Sequence, residues 1–283
     1  MNNELNQYKC DYCDGISCKN RADIEKRFQM VDNECRIFEC TNCHLVSVFP
    51  RPTYKENFLI YTDYELKKGR LEVEKYRQEK IYPAKLKKIK RYVKGDRLLD
   101  IGAGLGTFAH EAKKLGFDVT GIELSQEQSA RAKELYGINL INRDIFECYE
   151  ELGRFDVIHI HHVLEHILSP SELFSVLGKL LNSGGVIVLE VPYELQRIQE
   201  LIFRGKDRKW NGDHLYFFSP KTLNNYFRKN GFFVMEFNQY LVEQDKYSAV
   251  SAPRYFLRYL FRKITTYFQI PSGSFMEMYA VKK

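Results

Sequence analysis

The stretch Arg97-Leu98-Leu99-Asp100-Ile101 runs straight into Gly102-Ala103-Gly104-Leu105-Gly106, and a helix-like pattern follows from Phe108 to Leu115. No other feature narrows the fold as much. A short apolar strand, a turn with almost no side chains and a helix start make half of a crossover unit, and such units build parallel sheets. The glycines also let a ligand approach the backbone and the helix start. The spacing is GxGxG, with Thr107 where a dinucleotide fingerprint has its third glycine, so the turn alone does not name its ligand. The pattern then repeats. Asp118–Glu123 reads as a second strand that ends in an acid, and a carboxylate there can accept from both hydroxyls of a ribose. The helix-like SQEQSARAKELYG leads to a third strand at Ile138–Ile141 with Asp144 just beyond it, and Phe155–Ile160 reads as a fourth. The expected fold is α/β, a Rossmann-like seven-stranded, mostly parallel sheet with helices on both faces.

LLDIGAGLG, the strand-terminal Glu123, Asp144, FDVIHIHHVLEH and the later LLNSGGVIVLEVP resemble the motif series of class I S-adenosylmethionine-dependent methyltransferases. The likeness covers roughly residues 90 to 240. Together with two N-terminal cysteine pairs and DRKWNGDHLYFFSPKTL, it is similar to bacterial sugar C- and O-methyltransferases that carry a zinc-binding N-terminus. The resemblance implies that Gly102, Gly104 and Gly106 line the methionine and ribose end and that Glu123 and Leu124 hold the ribose. It places Asp144 and Ile145 beside adenine, sets Asp100 under the glycine turn, and puts His161 or His162 at the edge of the methyl-donor pocket. It also points to His214 as general base. The sugar C-methyltransferases have a tyrosine-histidine-glutamate-histidine run there, which in this chain becomes Asn211-Gly212-Asp213-His214. The tyrosine and the first histidine are missing, so a hydroxyl acceptor is at least as well supported as a carbon one. The implied substrate is a small molecule or saccharide.

HIHHVLEH, residues 159–166, holds four of the chain's seven histidines and contains HxxEH, a pattern that one class of zinc peptidases carries on a helix. Here the cluster begins on the end of a strand, with a helix expected from His162 onward. Alternation along the strand sends His159 and His161 one way and Ile160 and His162 the other, so the four rings cannot all face one ion. The peptidase reading fails on that ground, and packing is the expected role of His166.

Six of the seven cysteines fall in the first 43 residues. Cys10-x-x-Cys13 and Cys40-x-x-Cys43 are two pairs of the kind that give structural zinc its tetrahedral sulfur site. Thiols without metal, or an iron centre, fit the same spacing. Cys35 is read as a small buried side chain and His44 as a surface neighbour.

The chain of 283 residues divides into a zinc-ribbon-like module at 1–50, a helical linker or lid at 51–95 and a methyltransferase domain at 96–283. That domain carries a cap insertion around 193–220 and an inserted helical segment around 243–272. Between 66 and 93 the apolar spacing predicts two amphipathic helices interrupted near Pro83, with the lysines on a solvated face. A net charge of +6, from 43 basic and 37 acidic residues, gives little reason to expect a nucleic-acid partner. MNNELNQYKC has no signal-like apolar run and no stretch is apolar enough to span a bilayer, so a cytoplasmic protein is expected. Residues 253–264 are basic and apolar, with core packing as the first expectation and peripheral membrane contact as the second. A noncatalytic protein that uses the cysteine module on a protein or nucleic-acid partner is the rival from another class.

Overall fold

The structure is a computed structural model that describes residues 8–28, 30, 35–62, 70–195, 213–240 and 275–282. The cap residues 196–212 and the segment 243–272, with its basic stripe at 253–264, lie outside the described residues.

Near the N-terminus come β1 (Cys18–Asn20), α1 (Ala22–Arg27), β2 (Arg36–Cys40) and β3 (Val46–Phe49). Three helices follow: α2 (Tyr54–Thr62), α3 (Arg70–Lys80) and α4 (Tyr82–Tyr92). The break between α3 and α4 falls at Ile81, where Pro83 in the first turn of α4 suits a helix start. The crossover core is β4 (Arg97–Ile101), α5 (Thr107–Lys114), β5 (Asp118–Ile122), α6 (Gln126–Tyr136), α7 (Ile145–Cys148), β6 (Phe155–His161), α8 (Pro170–Leu180) and β7 (Leu181–Pro192). After it come β8 (Tyr216–Phe217), α9 (Pro220–Lys229), β9 (Phe232–Tyr240) and β10 (Phe275–Lys282).

Among the described residues the main sheet has six strands in the order β5-β4-β6-β7-β10-β9, parallel from β5 to β7 and antiparallel at β10 and β9. The third of the seven expected strands, Ile138–Ile141, is reduced to one parallel bridge between Ile122 and Ile141. The next residue explains why. Asn142 turns its amide onto the carbonyls of Glu123 and Leu124, both at 2.7 Å, and a side chain that serves the backbone in this way competes with a ladder.

The central strands are buried on both faces, which is why they read as nearly continuous apolar runs. Val157, Val186 and Val188 pack with Leu86, Ile89 and Phe108 of α4 and α5. The intervening Ile158, Ile187 and Leu189 pack with Phe174, Leu177 and Phe227 of α8 and α9 on the other side. The lysine face of α4 is not wholly solvated as expected. Lys85 is buried between Glu190 and Glu277, at 3.0 and 2.7 Å, and Lys88 pairs with Glu236.

A second sheet has the order β1-β2-β3-β8. Its last strand comes from far along the chain: Val46 faces Phe217 and Ser47 faces Tyr216. The cysteine module and the residues just after His214 therefore share one sheet. Cys35, expected to be buried, is only partly so.

Candidate active site

The glycine turn hangs on the end of β5, because the Gly102 and Ala103 amides both donate to the Ile122 carbonyl at 2.9 Å. Gly102 and Gly106 have φ of 72° and 71°. A Cβ at Gly102 would meet Val163 at 2.3 Å and one at Gly106 would meet Ala132 at 2.9 Å, so neither position accepts a side chain. The turn also fixes Glu123. Gly104 N–H donates to Oε2 and Ser125 N–H to Oε1, both at 2.8 Å, holding the carboxylate at the rim of a cavity of about 540 Å³.

That cavity lies over the carboxyl ends of the parallel strands, where ligands of open α/β sheets bind. Gly102, Gly104, Glu123 and Leu124 line one end, Asp144 and Ile145 the side beside it, and His161 and His162 the floor. Asp144 caps α7 by accepting from the Phe146 amide at 3.0 Å, and its other oxygen accepts from the Tyr54 hydroxyl at 2.9 Å. Asp100, Gly106 and His214 do not line the cavity. Asp100 does not bond the glycine turn as expected: it pairs with His159 of the neighbouring strand at 2.7 Å, and that ring stacks on Phe108.

Helix α2, in the segment expected to be a linker or lid, covers the cavity, although its individual lining residues were not singled out from the sequence. Tyr54, Asn57, Phe58 and Tyr61 face inward at the spacing of one helix face. Among the described residues the helix is tied down by the Tyr54 hydroxyl, shared between Asp144 and Glu147, by the Asn57 amide on the His166 carbonyl at 3.2 Å and by the Tyr61 hydroxyl on the Asp213 carbonyl at 3.1 Å.

The histidine cluster departs from simple alternation. His162 is not helical; it has φ 56°, a left-handed conformation, and only Leu164–His166 form a single 3-10 turn. The turn swings the His162 ring back beside His161, with centroids 4.4 Å apart. His162 Nδ1 lies 3.2 Å from Glu165, and Nε2 lies 3.6 Å from Glu190. Burial, reinforced by His162, pushes the His161 pKa well below the usual histidine value despite Glu190. Burial also lowers that of His166. Burial would raise Glu165, yet the hydrogen bond from His162 and the neighbouring imidazoles hold it at about 2.

His166 has a defined tautomer. Its Nδ1 lies 2.8 Å from the Asp213 carbonyl, which only accepts, so Nδ1 carries the proton. Nε2 keeps its lone pair, 3.8 Å from the Glu165 carboxylate, and the ring lines the cavity. His214 is the reverse case. Burial lowers its pKa, but the Glu194 carboxylate at 2.9 Å outweighs this and raises it to about 9. It is charged near neutral pH and stands behind His166, so it has no lone pair to offer an acceptor.

At the N-terminus the four cysteines converge. Cys10 and Cys43 sulfurs are 3.5 Å apart, Cys13 and Cys40 are 3.6 Å apart, and all four lie within 4.8 Å of one another. A tetrahedral zinc with sulfurs at 2.3 Å spaces them about 3.8 Å apart. The two knuckles close identically: the Asp14 amide donates to Cys10 and the His44 amide to Cys40, both at 3.0 Å, with Asp14 and His44 in left-handed conformations. His44 stays at the surface, paired with Glu39.

A methyltransferase-domain family model matches residues 70–236, more than half of the chain. The chain belongs to this family. It is a methyltransferase-domain protein. The ubiquinone biosynthesis O-methyltransferase of Nitrosococcus oceani is 26% identical over 169 residues, 53% of this chain and 70% of that protein. Its counterpart in Coxiella burnetii is 31% identical over 112 residues, 37% of this chain and 48% of that protein, so the chain spans about half the length of that relative. The fold is similar to that of a SAM-dependent methyltransferase from Archaeoglobus fulgidus, with a TM-score of 0.54, 21% identity and cover of 76% of this chain and all of that one. It is likewise similar to a structure from Listeria monocytogenes described as a possible enzyme of this type, with a TM-score of 0.51, 16% identity and cover of 71% of this chain and 98% of that one.

Proposed function

We propose that this methyltransferase acts on a hydroxyl of a small molecule, most directly a sugar or glycan precursor, and that Cys10, Cys13, Cys40 and Cys43 hold a structural zinc. The Glu123 carboxylate, fixed at the cavity rim by the Gly104 and Ser125 amides, carries the cofactor reading. Its oxygens take the ribose hydroxyls, Asp144 and Ile145 take the adenine end, and Gly102 and Gly104 leave room for the methionine portion. S-adenosylmethionine, when bound, supplies a sulfonium methyl carbon that the acceptor oxygen attacks while the carbon–sulfur pair stays on sulfur. The chain's own part is alignment, a dry pocket under α2 and removal of the hydroxyl proton. His166 Nε2 receives that proton, and Glu165 stabilises the imidazolium that results. This moves the base role from His214 to His166.

The inner face of α2 supports a second acceptor class. Tyr54, Phe58 and Tyr61 offer aromatic surface that suits an aromatic ring bearing the acceptor hydroxyl, and a relative over part of this chain is a ubiquinone biosynthesis O-methyltransferase. Calorimetric titration with S-adenosylhomocysteine tests the cofactor site, with binding expected in wild type and about 100-fold weaker in Glu123→Ala. No binding to folded wild-type protein would sink the reading. Methyl transfer from labelled cofactor to nucleotide sugars and to catechols then separates the two acceptor classes.

A further inference from the structure

We propose, on the methyltransferase reading above, that His161, His162 and Glu190 form a site for a first-row divalent cation at the floor of the acceptor pocket. The ends of β6 and β7 bring the three donors together. Glu190 Oε1 lies 3.2 Å from His161 Nε2 and 3.6 Å from His162 Nε2, and the three donor atoms are all within 4.8 Å of one another. Ligands in adjacent positions around an ion bonded at about 2.1 Å sit about 3.0–3.5 Å apart. The two distances to Glu190 are close to that range.

Three observations favour a cation there. The first is the left-handed backbone at His162, φ 56°, anchored by its amide to the Glu190 carbonyl at 3.0 Å. A non-glycine residue is held in that conformation at a cost, and here the result is to aim the ring at Glu190. The second is the support behind the ring. His162 Nδ1–H donates to the buried Glu165 carboxylate at 3.2 Å, which leaves the Nε2 lone pair on the side of Glu190. A carboxylate on the far nitrogen is the usual orienting partner of a metal-bound histidine. The third is charge. Lys85 is one cation between two buried carboxylates, Glu190 and Glu277, and it occupies Glu190 Oε2 while Oε1 faces the imidazoles. Oε1 is thus a buried anionic oxygen that Lys85 does not occupy, and it meets a bound cation directly.

Two imidazoles and one carboxylate suit zinc, iron or manganese better than magnesium or calcium. Since His161 and His162 line the cavity, the open coordination positions face the acceptor. The ligand class is an oxygen donor, a hydroxyl or adjacent pair of hydroxyls. Its oxygen binds the ion, its O–H bond is weakened, and the proton passes to His166 as the methyl group is received.

Tag-free, full-length protein equilibrated with zinc and desalted provides the test. X-ray absorption at the zinc edge of the wild type is expected to show imidazole scattering at about 2.0–2.1 Å, whatever the sulfur signal from the cysteines. Elemental analysis is expected to find one zinc per chain fewer in His162→Asn, since asparagine tolerates the left-handed backbone but does not supply the imidazole. His161→Gln is the second variant, used if circular dichroism shows the first to be misfolded. Sulfur-only scattering in wild type, or equal zinc content in wild type and a folded variant, overturns the proposal. Binding of S-adenosylhomocysteine to wild type is read separately. Its failure removes the methyltransferase reading and leaves the metal count standing.

Discussion

At the scale of single residues, the two adjacent rings His166 and His214, 4.9 Å apart, are held in opposite protonation states. Burial keeps His166 neutral while the Asp213 carbonyl fixes its proton on Nδ1, whereas the Glu194 carboxylate on Nδ1 outweighs burial and keeps His214 charged. His166→Gln should therefore lower kcat by about 100-fold or more while leaving the affinity for S-adenosylhomocysteine near that of wild type. Steady-state kinetics beside calorimetry checks this. Because burial lowers the His166 pKa, wild-type kcat should already be on its plateau at neutral pH. For His214 the expected effect is on stability. The unfolded chain releases this proton near the reference value of 6.5 and the folded chain at about 9. The contribution is therefore present in full below 6.5 and is lost as pH rises through 9, with an upper size of about 3 kcal/mol. Denaturant unfolding of wild type and His214→Gln from pH 6 to 9.5 should show a gap that narrows as pH rises; a constant gap would contradict the Glu194 pairing.

At the scale of elements, α2 stands out as a cover with little holding it. None of its residues is buried, and among the described residues three side chains, Tyr54, Asn57 and Tyr61, tie it to the cavity wall by hydrogen bonds. Elements with few buried contacts open locally at low cost. Amide exchange across 54–62 should be faster than in α5 or α6 and should slow when S-adenosylhomocysteine binds. Equal protection with and without ligand would argue against α2 as a cover. The same helix shows why part of the site was hidden in the sequence. Tyr54, Phe58 and Tyr61 face in, but Leu59 and Ile60 are exposed on the outside, so no apolar stripe marks the inner face. Lys85 was hidden in a similar way. It sits in a run of lysines that reads as a solvated surface, and only the sheet beneath, with Glu190 and Glu277, gives it a reason to be inside. By contrast, the glycine turn, Glu123 and the paired cysteines depend on spacing within a few residues or one crossover unit, and they were legible.

At the scale of the whole molecule, the cysteine module and the methyltransferase core are joined through a partly buried carboxylate as well as a shared sheet. Asp11, inside the first cysteine knuckle, accepts from Ser169 Oγ at 3.0 Å, the Ser171 amide at 2.9 Å and the Tyr226 hydroxyl at 2.8 Å. These groups belong to the starts of α8 and to α9. Asp11→Ala should cost about 3 kcal/mol, because it leaves the buried Tyr226 hydroxyl without its partner. That corresponds to a Tm lower by roughly 6–12 °C in calorimetry. A change under a degree would show that the knuckle merely rests on the core. Pairing between residues 46–47 and 216–217 could not be read in advance, since Tyr216-Phe217 is too short to announce a strand and its partner is about 170 positions away.

That shared strand bears on how such a protein can be rearranged over time or at the bench. A module that only adhered to the core could be traded between homologues like a cassette. Here the exchange would have to carry Leu215-Tyr216-Phe217 with it, because those residues complete the donor's sheet. A chimera cut at residue 50 would leave two buried aromatic rings and an open strand edge at the surface, and exposed edges of this sort seed self-association. The heritable unit is therefore the N-terminal 50 residues plus a short stretch found more than 160 residues later, two pieces of sequence that have to change in step.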